Sequence, residues 1–256
     1  MRPRLHQYGS VNATRVPSED SPALDRADPP GIAGSGPFAH PLLGALTAED
    51  TADVLASTRE RAYQRGDVIV SEGAPPDSMH LLLRGHVAIQ VVTESGDVAL
   101  LRVLGAGDFF GELSLVSPAP RNATVLALDD VTTRSLTVDA FDRLRRRSPA
   151  AERLLVEALV AEVRRLSEQV RDAYYLAVPE RTMVRLRELC TLYAEGEGHE
   201  VVLAFTQEEL AQLVGTARPT VNKVLKDLEA QGMLRLTRGR VTIPDPTALG
   251  ARPSRA

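Results

Sequence analysis

The hydrophobic pattern in the middle of the chain predicts a β-rich domain. Between residues 68 and 128, short runs of β-branched and aliphatic residues are separated by glycine and aspartate. Runs of this kind, bounded by turn-forming residues, predict strands, here over 68–70, 79–83, 87–92, 98–103 and 123–128. Because no helical segment lies between these runs, the pattern favours an antiparallel barrel or jelly roll.

Helical patterns flank this region. Residues 42–56 have helical spacing, and Thr47 is the expected N-cap. After Ser148 a long helix is predicted, with an apolar seam spaced by four, three, four, three and four residues: Leu159, Val163, Leu166, Val170, Ala173 and Ala177. A seam this narrow, surrounded by charged residues, is typical of a coiled coil. We therefore predict a homodimer through residues 155–177; the alternative is a single helix packed on its own barrel.

The last part of the chain is predicted to be helical and then β. An amphipathic helix over 182–194 and a strand over 201–205 lead to Thr206 and Glu209, which form a capping box. The helix that follows, 207–214, ends at Gly215, and a second helix runs from about 218 to 231. Strands at 234–236 and 241–243 then predict a hairpin. The order is that of a helix-turn-helix followed by a β wing.

Composition sets limits on the class of protein. With 43% hydrophobic and 25% charged residues the chain is ordinary globular material, but residues 1–40 are rich in proline and lack periodicity, which predicts a disordered tail. The single cysteine, Cys190, favours a reducing compartment, and we expect the cytoplasm. No apolar run is long enough to span a membrane. The formal net charge of −4, taken alone, argues against nucleic acid as a partner.

The charge distribution reverses that last inference for the helix-turn-helix. Between Thr216 and Ile243 there are six basic residues and two acidic ones. Helical spacing places Val221, Leu225 and Leu228 on one side of the second helix and basic residues on the other, which suits the major groove of DNA; the alternative is a solvated helix face. The predicted DNA-binding residues are Thr206, Gln207, Arg218, Thr220, Asn222, Lys223, Lys226 and Arg238.

A second candidate site lies in the β-rich region. The segment Gly111-Glu112-Leu113 is followed nine residues after Glu112 by Arg121-Asn122. Backbone N–H groups at a glycine turn and a guanidinium can hold a phosphate, while a carboxylate accepts a bond from a sugar hydroxyl. Without further context the signal is weak, because a Glu and an Arg at this separation are more often a surface pair.

Together, these two segments and the long helix resemble one family. Residues 111–125 resemble the phosphate-binding cassette of cyclic-nucleotide-binding domains, and residues 42–245 look like a transcription regulator of the cyclic-AMP receptor protein family. The resemblance implies that Glu112 binds the ribose hydroxyl, that Arg121 binds the cyclic phosphate, and that Asn122 flanks it. Ser167 matches a position that contacts adenine, and Arg218 matches an arginine that reads guanine.

The resemblance also implies an architecture and partners. We expect an α+β fold with a disordered tail (1–40), a jelly-roll sensor (41–147), a dimerisation helix (148–177), a winged helix-turn-helix (178–245) and a flexible tail (246–256). The expected effector is cAMP, and the expected partners are a second copy of the chain, a palindromic DNA operator and RNA polymerase. We expect no metal and no membrane.

Several alternatives stay open at this point. Leu166 stands where enteric members carry a hydroxyl residue, Asn122 replaces a serine or threonine, and Pro219 replaces an acidic base-reading residue. A regulator whose sensor binds cGMP, a cyclic dinucleotide or no ligand is therefore the second hypothesis. Cys190 alone excludes the iron–sulfur branch, and His80 and His86 are better explained as core or solvated residues than as haem ligands. An enzyme is disfavoured because no catalytic cluster is present.

Overall fold

The computed structural model of the chain describes residues 47–194 and 199–250. The predicted tail over 1–40 and the start of the first predicted helix at residue 42 lie outside the described residues. Helix α1 covers Ala48–Ser57. Its N-cap is Thr47, as predicted, and the Thr47 hydroxyl accepts a hydrogen bond from the Asp50 backbone N–H at 3.1 Å.

The β-rich region folds into two antiparallel sheets that face each other. The first has the strand order β1-β8-β3-β6 and the second the order β2-β7-β4-β5. Residues from both sheets, among them Leu82, Val87, Leu104 and Phe110, form the buried core between them. This arrangement confirms the predicted α+β fold class with a jelly-roll domain. The strands in the described part of the chain are β1 (Arg59–Tyr63), β2 (Val68–Val70), β3 (Ser78–Arg84), β4 (Val87–Val92), β5 (Val98–Leu104), β6 (Phe109–Phe110), β7 (Thr124–Ala127) and β8 (Val131–Thr137).

The long helix, α3, covers Pro149–Tyr175 and follows helix α2 (Val138–Arg147). One face of α3 lies against the sensor and is buried or half-buried, with spacings of four and three residues: Ala151, Leu155, Ala158, Glu162, Arg165, Gln169 and Asp172. A second face is apolar and exposed. We call it the outer stripe; it consists of Val156, Val160, Val163, Ser167, Val170 and Tyr174, with Leu166 beside it.

These faces correct the predicted seam in two places. Ala177 lies beyond the end of α3, because the helix ends at Tyr175 and Ala177 is the N-cap of the next helix. Leu159 is half-buried and packs on the sensor core. Helix α3 therefore packs on its own barrel with one face and leaves another apolar face exposed, and the homodimer stays a prediction.

The C-terminal domain contains a helix-turn-helix and a small sheet. The sheet has the order β10-β11-β9 and is antiparallel. Within the described residues, no helix is both long and apolar enough to cross a membrane. The elements are α4 (Val178–Tyr193), β9 (Val201–Leu203), α5 (Gln207–Val214), α6 (Arg218–Ala230), β10 (Arg235–Thr237), β11 (Arg240–Ile243) and a 3₁₀ helix at Pro246–Leu249.

The prediction of a flexible tail from residue 246 is wrong for the first five residues, 246–250. Leu249 is fully buried in the core of the C-terminal domain. The Arg187 side chain of α4 donates hydrogen bonds to the Leu249 and Gly250 carbonyls, at 3.1 Å and 2.7 Å. Burial of Leu249 and these two bonds hold the segment on the domain; residues 251–256 lie outside the described part.

The C-terminal domain also packs on the sensor. Four sensor residues, Ala88, Leu100, Val103 and Leu128, belong to the same buried apolar cluster as residues of α4, α5 and α6. Contact between β5 and α5 is extensive. The two halves of the chain therefore share a hydrophobic interface, in addition to the covalent connection through α3 and α4.

Candidate functional site

The predicted cassette is built around a glycine in a conformation that other residues avoid. Gly111 has φ +79° and precedes a 3₁₀ helix that covers Glu112–Leu115. A Cβ atom at this position would lie 2.5 Å from Arg121 Nη1 and 3.0 Å from the Ser78 carbonyl oxygen. Glycine is thus required both for the turn and for the close approach of the arginine.

The Arg121 guanidinium is held in one position by four acceptors. Its Nη1 donates to Ser114 Oγ at 2.5 Å and to the Gly111 carbonyl at 3.3 Å. Its Nη2 donates to Asp77 Oδ1 at 2.8 Å and to the Ser78 carbonyl at 2.5 Å. The Arg121 side chain is only 6% exposed. A guanidinium fixed in this way has little rotamer freedom left to lose, and an anion reaches its Nη hydrogens only by displacing one of these acceptors.

Glu112 lies near this arginine and near Glu162, which is in the middle of α3. Burial raises the pKa of Glu112, the nearby carboxylate of Glu162 acts in the same direction, and Arg102 and Arg121 oppose it. Glu162 of α3 accepts hydrogen bonds from Arg102 of β5 at 3.1 Å and from Arg165 at 2.8 Å. An ion-pair network therefore connects the sensor sheet to the long helix next to Glu112.

The helix-turn-helix has the local geometry that its sequence predicts. The Thr206 hydroxyl accepts from the Glu209 N–H at 3.1 Å, and Glu209 Oε2 accepts from the Thr206 N–H at 2.6 Å. Helix α5 ends at Gly215, whose φ of +71° is the left-handed C-cap conformation. The predicted capping box and turn glycine are both present.

Helix α6 separates its apolar and basic sides. Val221, Val224, Leu225 and Leu228 are buried, whereas four of the predicted DNA-binding side chains on this helix are exposed: Arg218, Thr220, Lys223 and Lys226. Asn222 differs, because it is half-buried and its Oδ1 atom is buried and has no hydrogen-bond partner among the described residues. The exposed face is thus basic, and Asn222 lies at its edge.

The wing is attached to helix α6 by an acidic residue. Glu229 of α6 accepts a hydrogen bond from the Leu236 N–H of β10 at 2.7 Å. Arg235 pairs with Glu200, while Arg238 lies exposed in the hairpin turn before Gly239. Of the other predicted residues, Thr206 is exposed and Gln207 is half-buried.

Known proteins with the same two parts were found by comparison. A model of the cyclic nucleotide-binding domain matches residues 60–148, and a model of the Crp-like helix-turn-helix domain matches residues 181–252. A CRP-like cAMP-activated global transcriptional regulator of Mycobacterium tuberculosis is 33% identical over 192 residues, 74% of this chain and 86% of the relative. The chain belongs to the cyclic-AMP receptor protein (CRP) family. The resemblance carried by residues 111–125 and by the helix-turn-helix is thereby confirmed.

Further relatives agree with this assignment. The cyclic AMP receptor protein of Thermus thermophilus is 31% identical over 209 residues, 82% of this chain and 94% of that protein. A solved CRP/FNR-family regulator from the same organism matches with a TM-score of 0.64 and 29% identity, over 75% of this chain and 96% of its own. A c-di-GMP-responsive global regulator of Xanthomonas campestris matches with a TM-score of 0.63 and 25% identity, over 77% and 99%. By homology the chain is a cyclic-nucleotide-responsive transcription regulator, which is a non-enzymatic role.

The fold of this CRP-family chain does not bring all predicted ligand residues together. Gly111, Glu112 and Arg121 are neighbours, and Leu113 and Asn122 are exposed at the edge of the cassette. Ser167 lies on the outer stripe, and its hydroxyl donates to the Val163 carbonyl at 2.8 Å within α3. Ser167 points away from the cassette of its own chain, because the sensor packs against another face of α3.

Several residues of the site were not predicted from the sequence. Asp77, Ser78 and Ser114 bind Arg121, and Glu162 lies beside Glu112. Arg181 of α4 also has a structural role that its sequence context does not reveal, since it donates to the carbonyls of Leu176, Val214 and Gly215 at 3.2, 2.7 and 3.4 Å. It thus links the end of α3 to the turn of the helix-turn-helix. The polar pair 77–78, at the start of β3, is a sequence signal for two of the Arg121 partners.

The two sensor histidines have different environments. His80 is in the core, 5% exposed, and its ring stacks on Phe110 with centroids 5.0 Å apart. Its Nδ1 is 3.2 Å from Thr133 Oγ1. His86 is half-buried and contacts the C-terminal domain. In residues 47–194 and 199–250, no group of three or more His, Cys, Asp or Glu side chains could hold a metal ion.

His80 is expected to make the stability of the protein depend on pH. Burial, with a further contribution from the charge of Arg121, lowers the pKa of His80 to about 4. Because the unfolded chain has a histidine pKa of about 6.5, the neutral ring stabilises the fold fully above that pH, and this stability is lost as the pH falls toward 4. We expect a loss of about 3 kcal/mol in the free energy of unfolding, measured by urea denaturation at several pH values.

The matched variants are His80→Gln and His199→Gln. The first should flatten the decline in stability between pH 6.5 and 4, because the titrating ring is gone. The second removes an exposed histidine and should keep the wild-type decline. An equally steep decline in His80→Gln would assign the effect to other groups.

Proposed function

We propose that this CRP-family chain is a homodimeric, sequence-specific DNA-binding regulator whose effector is cAMP. The observation that carries the proposal is the buried Arg121 guanidinium, held over the Gly111 turn beside Glu112. The exposed basic face of α6 supplies the output function in the same chain. The relatives from Mycobacterium tuberculosis and Thermus thermophilus, named for cAMP, support this effector.

In this proposal Arg121 binds the cyclic phosphate and Glu112 binds the ribose. A phosphate oxygen approaching Nη2 of Arg121 competes with Asp77, whose side chain is 79% exposed and can move into water. Ser114, Ser78 and Gly111 keep the guanidinium in place during this exchange, because their bonds do not involve the exposed carboxylate. Glu112, whose pKa is raised, faces the ribose hydroxyls as a hydrogen-bonding partner in either protonation state.

A second effector class is favoured by specific observations. Leu166 offers no hydrogen bond to a base, and Ser167 uses its hydroxyl within α3. The Xanthomonas campestris structure that matches this chain belongs to a c-di-GMP-responsive regulator. Cyclic dinucleotides are therefore the alternative effector. A further candidate is cGMP, which carries the other purine base.

Calorimetric titration of the purified protein distinguishes these effectors. Separate titrations with cAMP, cGMP and c-di-GMP should give the tightest binding for cAMP. Heat only with c-di-GMP would replace the proposed effector, and no heat or thermal shift with any of the three would leave a DNA-binding protein with a degenerate sensor.

The DNA-binding role follows from the faces of α6. Arg218, Thr220, Lys223 and Lys226 are exposed on one side, while the opposite side is fixed in the core. Arg218 reads a guanine through O6 and N7, and the lysines contact bases or phosphates. Two such helices in a dimer imply a palindromic operator, with half-sites about 34 Å apart. Selection from randomised DNA with the purified protein gives this operator directly.

The outer stripe of α3 supports the homodimer. Its apolar members are between 45% and 81% exposed, although they are spaced as in a coiled coil: Val156, Val160, Val163, Val170 and Tyr174. The helix has 27 residues and is therefore about 40 Å long, so the stripe extends over several turns. A third face, with Glu157, Arg164, Glu168 and Arg171, is charged. A second copy of the same stripe is the self-complementary partner of such a helix.

Charges placed in the outer stripe should dissociate the dimer. The double variant Val163→Glu and Val170→Glu places two carboxylates where apolar contact is proposed, and we expect a monomer in sedimentation velocity at micromolar concentration. Ala161→Glu adds a carboxylate on the exposed side away from the stripe and should remain a dimer. A dimeric double variant would move the interface away from α3.

The remaining partners follow from this role. A regulator of transcription acts on RNA polymerase, which we propose as the protein partner. We propose the cytoplasm as the location. The buried Cys190 thiol is unreactive, because burial raises its pKa to about 11 and keeps it protonated.

A further inference from the structure

One side chain connects the sensor to the C-terminal domain through two kinds of contact. His86, directly before β4, stacks on Tyr193 at the end of α4, with ring centroids 3.8 Å apart and planes within 9° of parallel. Tyr193 in turn packs edge-on against the buried Phe205, at 5.9 Å. The ring of His86 therefore lies at the edge of the hydrophobic interface between the two halves of the chain.

Hydrogen bonds fix the same ring from both sides. Asp129 binds His86 twice, since Oδ1 accepts from the His86 backbone N–H at 2.7 Å and Oδ2 lies 2.7 Å from the ring Nδ1. On the other side, Nε2 lies 3.3 Å from the Leu192 carbonyl oxygen. Gly85, with φ +82°, makes this possible, because a Cβ there would be 2.6 Å from Asp129 Oδ1.

The chemistry of these partners depends on a proton. A carboxylate and a carbonyl oxygen are both acceptors, so each ring nitrogen must carry a hydrogen if both bonds are to be made. Only the imidazolium form has two such hydrogens. A neutral ring keeps the bond to Asp129 and loses the bond to Leu192, which is the one that crosses between domains. The positive ring also interacts more favourably with the face of Tyr193 than a neutral ring does.

Several other charged or ionisable side chains lie around the ring. Asp129 faces the ring, and Asp130 follows it beside Gly85. Burial strongly raises the pKa of Tyr193, with Asp129 and Glu209 adding to the effect and Arg65 opposing it, so the phenol stays neutral. Arg65 donates to the Leu128 carbonyl at 2.7 Å and lies 4.0 Å from Glu209. Of the side-chain types in this cluster, histidine is the one that can gain or lose a ring proton near neutral pH.

We propose that His86 is a positioning residue that acts as a proton-dependent latch, holding the DNA-binding domain on the sensor when the ring is protonated and loosening it when the ring is neutral. The domain is loosened but not released when the ring is neutral, because the apolar contacts of Ala88, Leu100, Val103 and Leu128 persist in both forms of the ring. The latch would make the freedom of helix α6 to reorient depend on pH. This inference does not rest on the identity of the effector or of the operator.

Hydrogen exchange of the full chain, without nucleotide or DNA, tests the latch. After correction for the intrinsic pH dependence of exchange, peptides containing Leu192–Tyr193 and 204–205 should exchange about three- to tenfold faster at pH 8 than at pH 6. His86→Phe keeps the stacking on Tyr193 and removes both ring hydrogen bonds. We expect fast exchange in this variant at both pH values.

Two further variants keep the test decisive. Asp129→Asn leaves the His86 ring intact but removes the charge that favours its protonated form, so the protected state should require a lower pH. His199→Gln removes a different histidine of the C-terminal domain and should behave as wild type. Unchanged pH-dependent protection in both His86→Phe and Asp129→Asn would overturn the proposal, as would wild-type protection that does not differ between pH 6 and 8.

Discussion

Replacing Arg121 with alanine is expected to weaken binding of the cyclic nucleotide by about 100-fold or more. The guanidinium is buried, and a charge-assisted pair with a phosphate in such an environment is among the strongest polar contacts available to a protein. The same change leaves Ser114, Ser78 and Gly111 without their donor. A lower melting temperature should therefore accompany the loss of binding, and calorimetry and circular dichroism measure the two effects separately.

A graded pair of variants separates binding from folding. Arg121→Lys keeps the positive charge but not the two-nitrogen fork, so binding should be intermediate. Ser114→Ala removes one partner of Arg121 and keeps the charge, so stability should fall with only a small loss of affinity. Wild-type affinity in a folded Arg121→Ala variant would exclude Arg121 as the phosphate ligand.

Replacing Arg218 with alanine is expected to reduce affinity for the selected operator by about 10- to 100-fold and to relax specificity at one base pair of each half-site. Arg218 is exposed in the first turn of α6, where a side chain reaches a base edge when the helix lies in the major groove. Fluorescence anisotropy with the operator and with single-base variants of it measures both effects.

Lys226→Ala is the matched comparison on the same helix. If Lys226 contacts a phosphate, affinity should fall about equally for all sequences, and the slope of log affinity against log salt should decrease by about one. Arg235→Ala should have a smaller effect, because Arg235 is already paired with Glu200. Unchanged base preference in Arg218→Ala would move sequence reading to another residue of the exposed face.

Local sequence signals predicted the ends of several elements well. Thr47 and Thr206 are N-caps because a hydroxyl three residues before a free N–H satisfies it, which is a purely local interaction. Gly215 ends α5 through another local effect, because the left-handed conformation of the C-cap favours glycine. Such signals need no knowledge of the rest of the fold.

The sequence pattern did not predict elements whose burial depends on distant parts of the chain. Strand β1 has four exposed residues out of five and, within the described part of the chain, pairs only with β8, so its sequence shows no apolar alternation. Strand β8 buries Thr133 and Ser135 between two other strands. Helix α2, with Ala140, Phe141 and Leu144 buried, follows β8 directly at Thr137, which hides the change of pattern.

The candidate pocket was predicted only in part for a related reason. Gly111, Glu112 and Arg121 lie close in sequence and carry a recognisable motif. Asp77 is 44 residues from Arg121, and its contact with the guanidinium exists only because β3 and the cassette meet in the barrel. No pattern along the chain encodes that meeting.

The sequence by itself determined the order of the three parts, the caps and turns of the helix-turn-helix, and the residues of the cassette. These depend on spacing and on interactions over a few residues. The tertiary structure alone decided which face of α3 packs on the sensor, that Ser167 points away from its own cassette, and that His86 meets Tyr193. The reason is physical. Apolar spacing in a helix predicts that a face will be buried, whereas the element that covers this face depends on how distant parts of the chain pack.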